Sequence, residues 1–134
     1  MRYVLDASVA VAALRTSEPA HEAALHRCLA TFTGADEIVV PAIFDIEVTS
    51  ALVRRGAAPE SVARFFDTHF VGRKIVTIGP RAAKSVCQVV ARTRLRAADA
   101  LYVWLAVREG IPLVTLDQEV LEKAPLVGAL VTLP

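Results

Sequence analysis

Arg2–Leu5 reads RYVL, and Asp6 follows it with no turn between. Aromatic and β-branched residues suit a pleated, buried surface, so this stretch predicts a first strand that ends on an acid. Working outward, short apolar runs recur at Glu37–Val40 (EIVV), Lys74–Ile78 (KIVTI), Leu113–Thr115 (LVT) and Leu130–Leu133. Helical stretches separate them. A brief helix is predicted through Val9–Leu14, and Thr16-Ser17-Glu18-Pro19 starts another that runs to Phe32. Pro41 opens a third that ends at Gly56, Pro59-Glu60 a fourth reaching Phe70, and Gly79-Pro80 a fifth through Ala91. Ala97–Glu109 is a sixth, closed by Gly110, and Asp117–Lys123 a short seventh. Proline in a first turn and glycine just past a last one are the expected punctuation.

Strands alternating with helices predict an α/β fold: a three-layer sandwich with a central, mostly parallel sheet flanked by helices. The strands are apolar without strict alternation, as a sheet covered on both faces requires. At 134 residues the chain fits one compact domain, expected to span residues 1–134. Hydrophobic residues make up 54% and charged residues 22%, which favours a real core and argues against disorder. The opening MRYVLDASVAVAALR reads poorly as a signal peptide, because Asp6 falls where the apolar region should be unbroken. No stretch approaches the ~18 uncharged apolar residues of a spanning helix. The expectation is a soluble, cytoplasmic protein with no membrane partner.

Cys28 and Cys87 stand alone in helical segments, with no second ligand at metal spacing, and are expected to be small core residues in a reducing compartment. His21, His26 and His69 form no zinc pattern. The net charge of +1 excludes little, but twelve of the fifteen basic residues are arginine, whose planar fork matches phosphate and carboxylate oxygens.

In parallel α/β folds the reactive crevice lies beyond the carboxyl ends of the strands. Asp6 and Asp117 both fall there, each with a hydroxyl two residues away: Asp6-x-Ser8 and Thr115-x-Asp117. Such pairs can ligate or orient a hydrated cation; they can equally cap the helix that follows each acid. Asp99 is the only charge in AADALYVWLAV, a helix apolar nearly all round, where an unpaired carboxylate is costly. A first-turn acid also gains from the helix dipole. In AIFDIEVTSAL the apolar residues are spread so evenly that periodicity does not choose between Asp45 and Glu47. Several acids gathered in one small domain repel one another unless a cation neutralises them. All-oxygen ligation suits magnesium or manganese, and phosphodiester hydrolysis is the chemistry implied.

The segments VLDASVAVA, PAIFDIEVTSAL, AADALYVWLA and PLVTLD together resemble the PIN-domain ribonucleases, and among them the VapC-type toxins of toxin–antitoxin pairs. They occur in the family's order from Tyr3 to Asp117. The resemblance implies a Mg2+- or Mn2+-dependent endonuclease acting on RNA. Its acidic positions fall on Asp6, Glu47, Asp99 and Asp117, with support from Ser8 and Thr115. It selects Glu47 over Asp45, leaving Asp45 to a surface or supporting place. It further implies a homodimer and a small antitoxin protein whose tail enters the acidic cleft. One departure is Ser50, where many members carry asparagine; Glu119 reads as a solvating residue of the last helix. Arg92, Arg94 and Arg96 precede the helix of Asp99 and could hold RNA phosphates, or simply end the helix before it. A standalone PIN nuclease of RNA processing and a non-catalytic α/β interaction module are the alternatives. A phosphatase of the haloacid-dehalogenase type is disfavoured, because it needs a second acid where Ser8 stands.

Overall fold

β1 (Arg2–Leu5) forms the middle of a five-stranded sheet, and Tyr3, Val4 and Leu5 are wholly shut off from solvent. Burial on both faces is what an unalternating apolar strand requires. The computed structural model describes residues 1–134. From β1 the chain passes through α1 (Ala7–Leu14) and α2 (His21–Phe32) to β2 (Glu37–Pro41), then through α3 (Ile43–Val53) and α4 (Pro59–His69) to β3 (Lys74–Val76). It continues through α5 (Pro80–Thr93) and α6 (Ala97–Glu109) to β4 (Leu113–Val114), and through α7 (Gln118–Lys123) and a 3-10 turn to β5 (Val131–Thr132). The strand order is β3-β2-β1-β4-β5, and every pairing is parallel.

Crossovers between parallel strands are right-handed. The steps β1 to β2 to β3 therefore put α1–α4 on one face, and the return across the sheet to β4 puts α5–α7 on the other. The packing agrees: α1 lies against α2 and α3, while α5 lies against α6. On the first face Phe44 of α3 and Phe32 of α2 both meet Phe70 edge-on, at centroid distances of 5.7 and 5.2 Å. Pairs of this kind contribute about 0.5–1.5 kcal/mol beyond their area. On the second face α6 buries Ala100 and Tyr102–Ala106, which accounts for its nearly continuous apolar sequence.

Of the boundaries that differ from the sequence expectation, three have a clear physical reason or place. Pro41 closes β2 rather than opening a helix: it lies opposite Val76, and the Ala42 amide donates to the Val76 carbonyl at 3.0 Å. Proline's fixed φ suits a strand end as well as a first helical turn. The second helix starts at His21, after the turn at Glu18-Pro19, where His21 Nδ1 bonds the Ala12 carbonyl at 2.9 Å. The third strand stops at Val76, on the sheet edge. Among the cysteines, Cys28 is buried as expected but Cys87 is exposed, because α5 lies at the periphery and turns that side outward.

Asp45 is more than a surface residue. Its two carboxylate oxygens receive Arg73 Nε and Nη2 at 2.8 and 2.6 Å. The same guanidinium donates to the Phe70 carbonyl at 2.8 Å and lies 4.8 Å from the Phe66 ring centroid. This bidentate pair ties α3 to the loop before β3. Asp45→Asn is expected to lower stability by about 1 kcal/mol, read as a lower denaturation midpoint at unchanged slope. An unchanged midpoint would mean the pair contributes nothing.

Candidate active site at the carboxyl edge of the sheet

The strand order turns at β1. Its crossover leads to β2 on one side, while β4 joins it on the other, so the gap between the carboxyl ends of β1 and β4 is the switch point where such sheets bind ligands. Asp6 and Asp117 flank that gap. The Asp6 amide continues the ladder by donating to the Val114 carbonyl at 3.0 Å. Its carboxylate is almost wholly buried, and Oδ2 receives the hydroxyls of Ser8 at 2.9 Å and Thr115 at 2.5 Å. Both hydroxyls also accept backbone amides, Ser8 from Leu116 at 3.3 Å and Thr115 from Asp117 at 3.1 Å. The two strand ends are thus sewn together around one carboxylate.

Capping and facing the cleft turn out to be compatible. Asp6 Oδ1 accepts from the Ser8 amide at 3.4 Å and caps α1. Asp117 Oδ1 accepts from Glu119 and Val120 at 2.8 and 3.2 Å and caps α7. Its second oxygen accepts nothing from the protein. Glu47 Oε1 receives the Tyr102 hydroxyl at 2.7 Å. Asp99, in the first turn of α6, receives no hydrogen bond from any protein group.

All four acids, with Ser8, line one cleft of about 570 Å³ whose walls include Ala12, Ala51 and Leu116. Burial pushes the Asp6 carboxyl up, against the pull of Thr115 and Ser8, and Asp117 adds repulsion. Burial likewise raises Glu47, opposed by the Tyr102 hydrogen bond and reinforced by Asp6. Asp99 is pushed up to about 6, first by burial and then by Asp117, Asp6, Glu47 and Glu119. The helix dipole would act the other way, so repulsion and desolvation win at this position. Burial and Glu47 push the Tyr102 phenol far up, which keeps it a hydrogen-bond donor throughout the neutral range.

The donor set suits a hard cation: every candidate ligand is an oxygen, and the like charges raise one another's affinity for positive charge. The carboxylates do not close into a ready cage, since no three His, Cys, Asp or Glu side chains meet as a metal-binding group. An open arrangement is what mutual repulsion favours, and magnesium, which keeps several waters and takes one or two carboxylates, is suited to it.

Asp45 points elsewhere, so the structure separates the two acids that periodicity left open. Ser50 is exposed and does not line the cleft. Glu119 pairs with Lys123 at 2.6 Å on the outside of α7. Arg92, in the last turn of α5, and Arg94 and Arg96, in the loop before α6, are exposed and do not line the cleft; Arg92 donates to the Leu126 carbonyl at 3.0 Å. Arg94 takes a left-handed φ of 58° that reverses the chain from α5 into α6. Two residues escaped the sequence reading. Tyr102 reads as core, though its spacing three residues after Asp99 on one helix was a usable signal. Arg55 lines the cleft two turns beyond Glu47.

Fold and cleft define the class: α/β proteins with an acidic site at the carboxyl edge of a parallel sheet. Residues 3–125 match the PIN domain, and the chain belongs to that family, whose nucleases generally use divalent metal ions. The fold is shared with PAE2754 from Pyrobaculum aerophilum (TM-score 0.67, 25% identity, covering 98% of this chain and 92% of that one). It is shared also with Mycobacterium tuberculosis VapC20, described as a sarcin-ricin loop cleaving toxin (TM-score 0.74, 14% identity, 98% and 99%). A third is VapBC2 from Rickettsia felis, bound to a DNA fragment from its promoter (TM-score 0.72, 15% identity, 100% and 99%). No curated protein sequence matches the chain.

The raised Asp99 group fixes the sign of a pH effect. Its ordinary value is 3.8 and its folded value about 6, so between them the folded state holds a proton the unfolded state has lost. Stability from this group therefore falls as pH rises from about 4 to about 6 and stays low above that. Metal-free Asp99→Asn is expected to melt at or above metal-free wild type at pH 7, with the gap closing towards pH 4. A lower melting temperature at pH 7 would show the first-turn dipole to dominate instead.

Proposed function

We propose that this chain is a magnesium- or manganese-dependent ribonuclease, an endonuclease acting as the toxin of a VapBC-type toxin–antitoxin pair. The observation that carries it is the meeting of Asp6, Glu47, Asp99 and Asp117 on one cleft at the switch point, in a member of a nuclease family. These four would hold the ion, one or two of them directly and the others through its waters. Ser8 and Thr115 fix the orientation of Asp6, and Tyr102 that of Glu47. A bound divalent ion supplies an activated water and neutralises charge on the phosphate and leaving oxygen. The cleft has no histidine or lysine to serve as general base, so the carboxylates orient the attacking water as well. Arg92, Arg94 and Arg96, on the approach to α6, would meet phosphates outside the cleft.

The toxin assignment is supported by the likeness to VapC20, to VapBC2 and to FitAB bound to IR36 DNA. It brings with it a small antitoxin protein, whose cationic tail the acidic cleft would accept, a homodimer, and a cytoplasmic place of action. No helix is long and apolar enough to cross a membrane.

Purified protein should cleave RNA with magnesium or manganese present and stop with excess chelator. Asp6→Asn and Asp99→Asn should each lose cleavage while keeping a folded melting transition. Undiminished cleavage in chelator, or an active Asp99→Asn enzyme, contradicts the assignment. Sedimentation at micromolar concentration should give a dimer; a clean monomer across that range removes that part of the reading.

A further inference from the structure

Five acids line the cleft, Asp6, Glu18, Glu47, Asp99 and Asp117, and the only basic side chain among the lining residues is Arg55. A polyanionic substrate entering such a cleft meets repulsion from five side chains and attraction from one. Glu18 is already engaged by Arg15 at 3.3 Å. Arg55 takes part in none of the chain's ion pairs.

Its placement follows from helical spacing. Glu47, Ala51 and Arg55 stand four residues apart along α3 and the tight turn that ends it, so they share one face. The turn carries the face past the last helical residue: the Arg55 amide donates to the Leu52 carbonyl at 3.1 Å, and Gly56 then leaves with a φ of 97°. Eight residues at helical rise separate Glu47 and Arg55 by about 12 Å along the axis. The Arg55 side chain shortens that gap by lying back along the helix, with Nη1 against the Ala51 carbonyl at 3.5 Å. Ala51 between them is small and itself lines the cleft, so no long side chain on this face separates Glu47 from Arg55. Acid, gap and base thus lie in a row.

We infer that Arg55 is a substrate-binding residue, holding an RNA phosphate next to the one cleaved, with Glu47, Asp99, Asp6 and Asp117 serving the scissile phosphate at the other end of the row. This rests on the ribonuclease reading above. Arginine's forked donors suit two oxygens of one phosphate, and the contact is to the backbone, so it sets register in the cleft rather than base preference. Arg54, the neighbouring residue, lies outside the acidic cleft.

The test measures binding of a fluorescent single-stranded RNA to the full chain on the inactive Asp6→Asn background, over a range of salt. Arg55→Ala should weaken binding about tenfold and lower the salt slope by about 0.7. Arg55→Lys should keep the slope, and Arg54→Ala should leave both quantities unchanged. On the active background Arg55→Ala should raise KM for RNA with little change in kcat, while Mn2+ affinity by calorimetry is no weaker. If wild type cleaves RNA and Arg55→Ala matches it in affinity and slope, the inference falls and the ribonuclease reading stands. If the wild type neither binds nor cleaves RNA, the ribonuclease reading falls first and carries the inference with it.

Discussion

The carboxyl edge is organised around the Asp6 carboxylate, buried at the end of the central strand and bound by hydroxyls from both flanking segments. A carboxylate shut away from water is costly unless its oxygens are satisfied. Ser8 and Thr115 satisfy Oδ2, and each passes a further bond to the chain after β4, through the Leu116 and Asp117 amides. The result is a fixed spacing between β1 and β4 where the sheet would otherwise be free to splay. Asp117 is placed by this same network, and the cleft opens between them. Remove Asp6 and the partners lose their common acceptor, so the site's geometry and the sheet's switch point are one construction.

Against this local satisfaction stands an electrostatic imbalance. Asp99 receives no hydrogen bond from the protein, and four other acids raise it. Glu47 has a single donor, Tyr102, and Asp117 uses one oxygen for capping. The protein thus tolerates a concentration of negative charge that works against its fold. Any cation that binds the folded but not the unfolded chain recovers stability in proportion to the logarithm of its concentration over its dissociation constant. Repulsion among these carboxylates and affinity for a cation are the same free energy seen from two sides.

Much of this was legible in the sequence for a physical reason: short buried strands and a lone acid in an apolar helix are both extreme environments. RYVL ending in Asp6, the LVT strand before Asp117, and Asp99 within AADALYVWLAV all announce themselves by contrast. Strand order was not legible, because it depends on crossover connections rather than on any residue, and the switch point between β1 and β4 therefore stayed hidden. Glu47 and Asp45 could not be separated by pattern: α3 is apolar on most sides, and only tertiary partners distinguish them, Tyr102 for one and Arg73 for the other. Both partners lie far away in sequence. Pro41 misled because its fixed φ serves a strand end and a helix start alike, and Cys87 because a helix at the periphery exposes one side whatever its residue types.

The competition between capping and ligation at Asp6 and Asp117 dissolves when oxygens are counted rather than residues. A carboxylate offers two oxygens and about four acceptor positions, while a cap consumes one or two of them. At Asp117 one oxygen takes both helix amides and the other is left over. The capping bonds then do something a free side chain lacks: they fix the carboxylate's rotation, so the remaining oxygen is aimed before any ligand arrives. Asparagine is about as good a helix cap as aspartate, and its side-chain oxygen can receive the same amides. The cap itself is indifferent to the charge. What the charge adds is repulsion across the cleft that both acids line: after burial, it is Asp117 that most raises the Asp99 carboxyl.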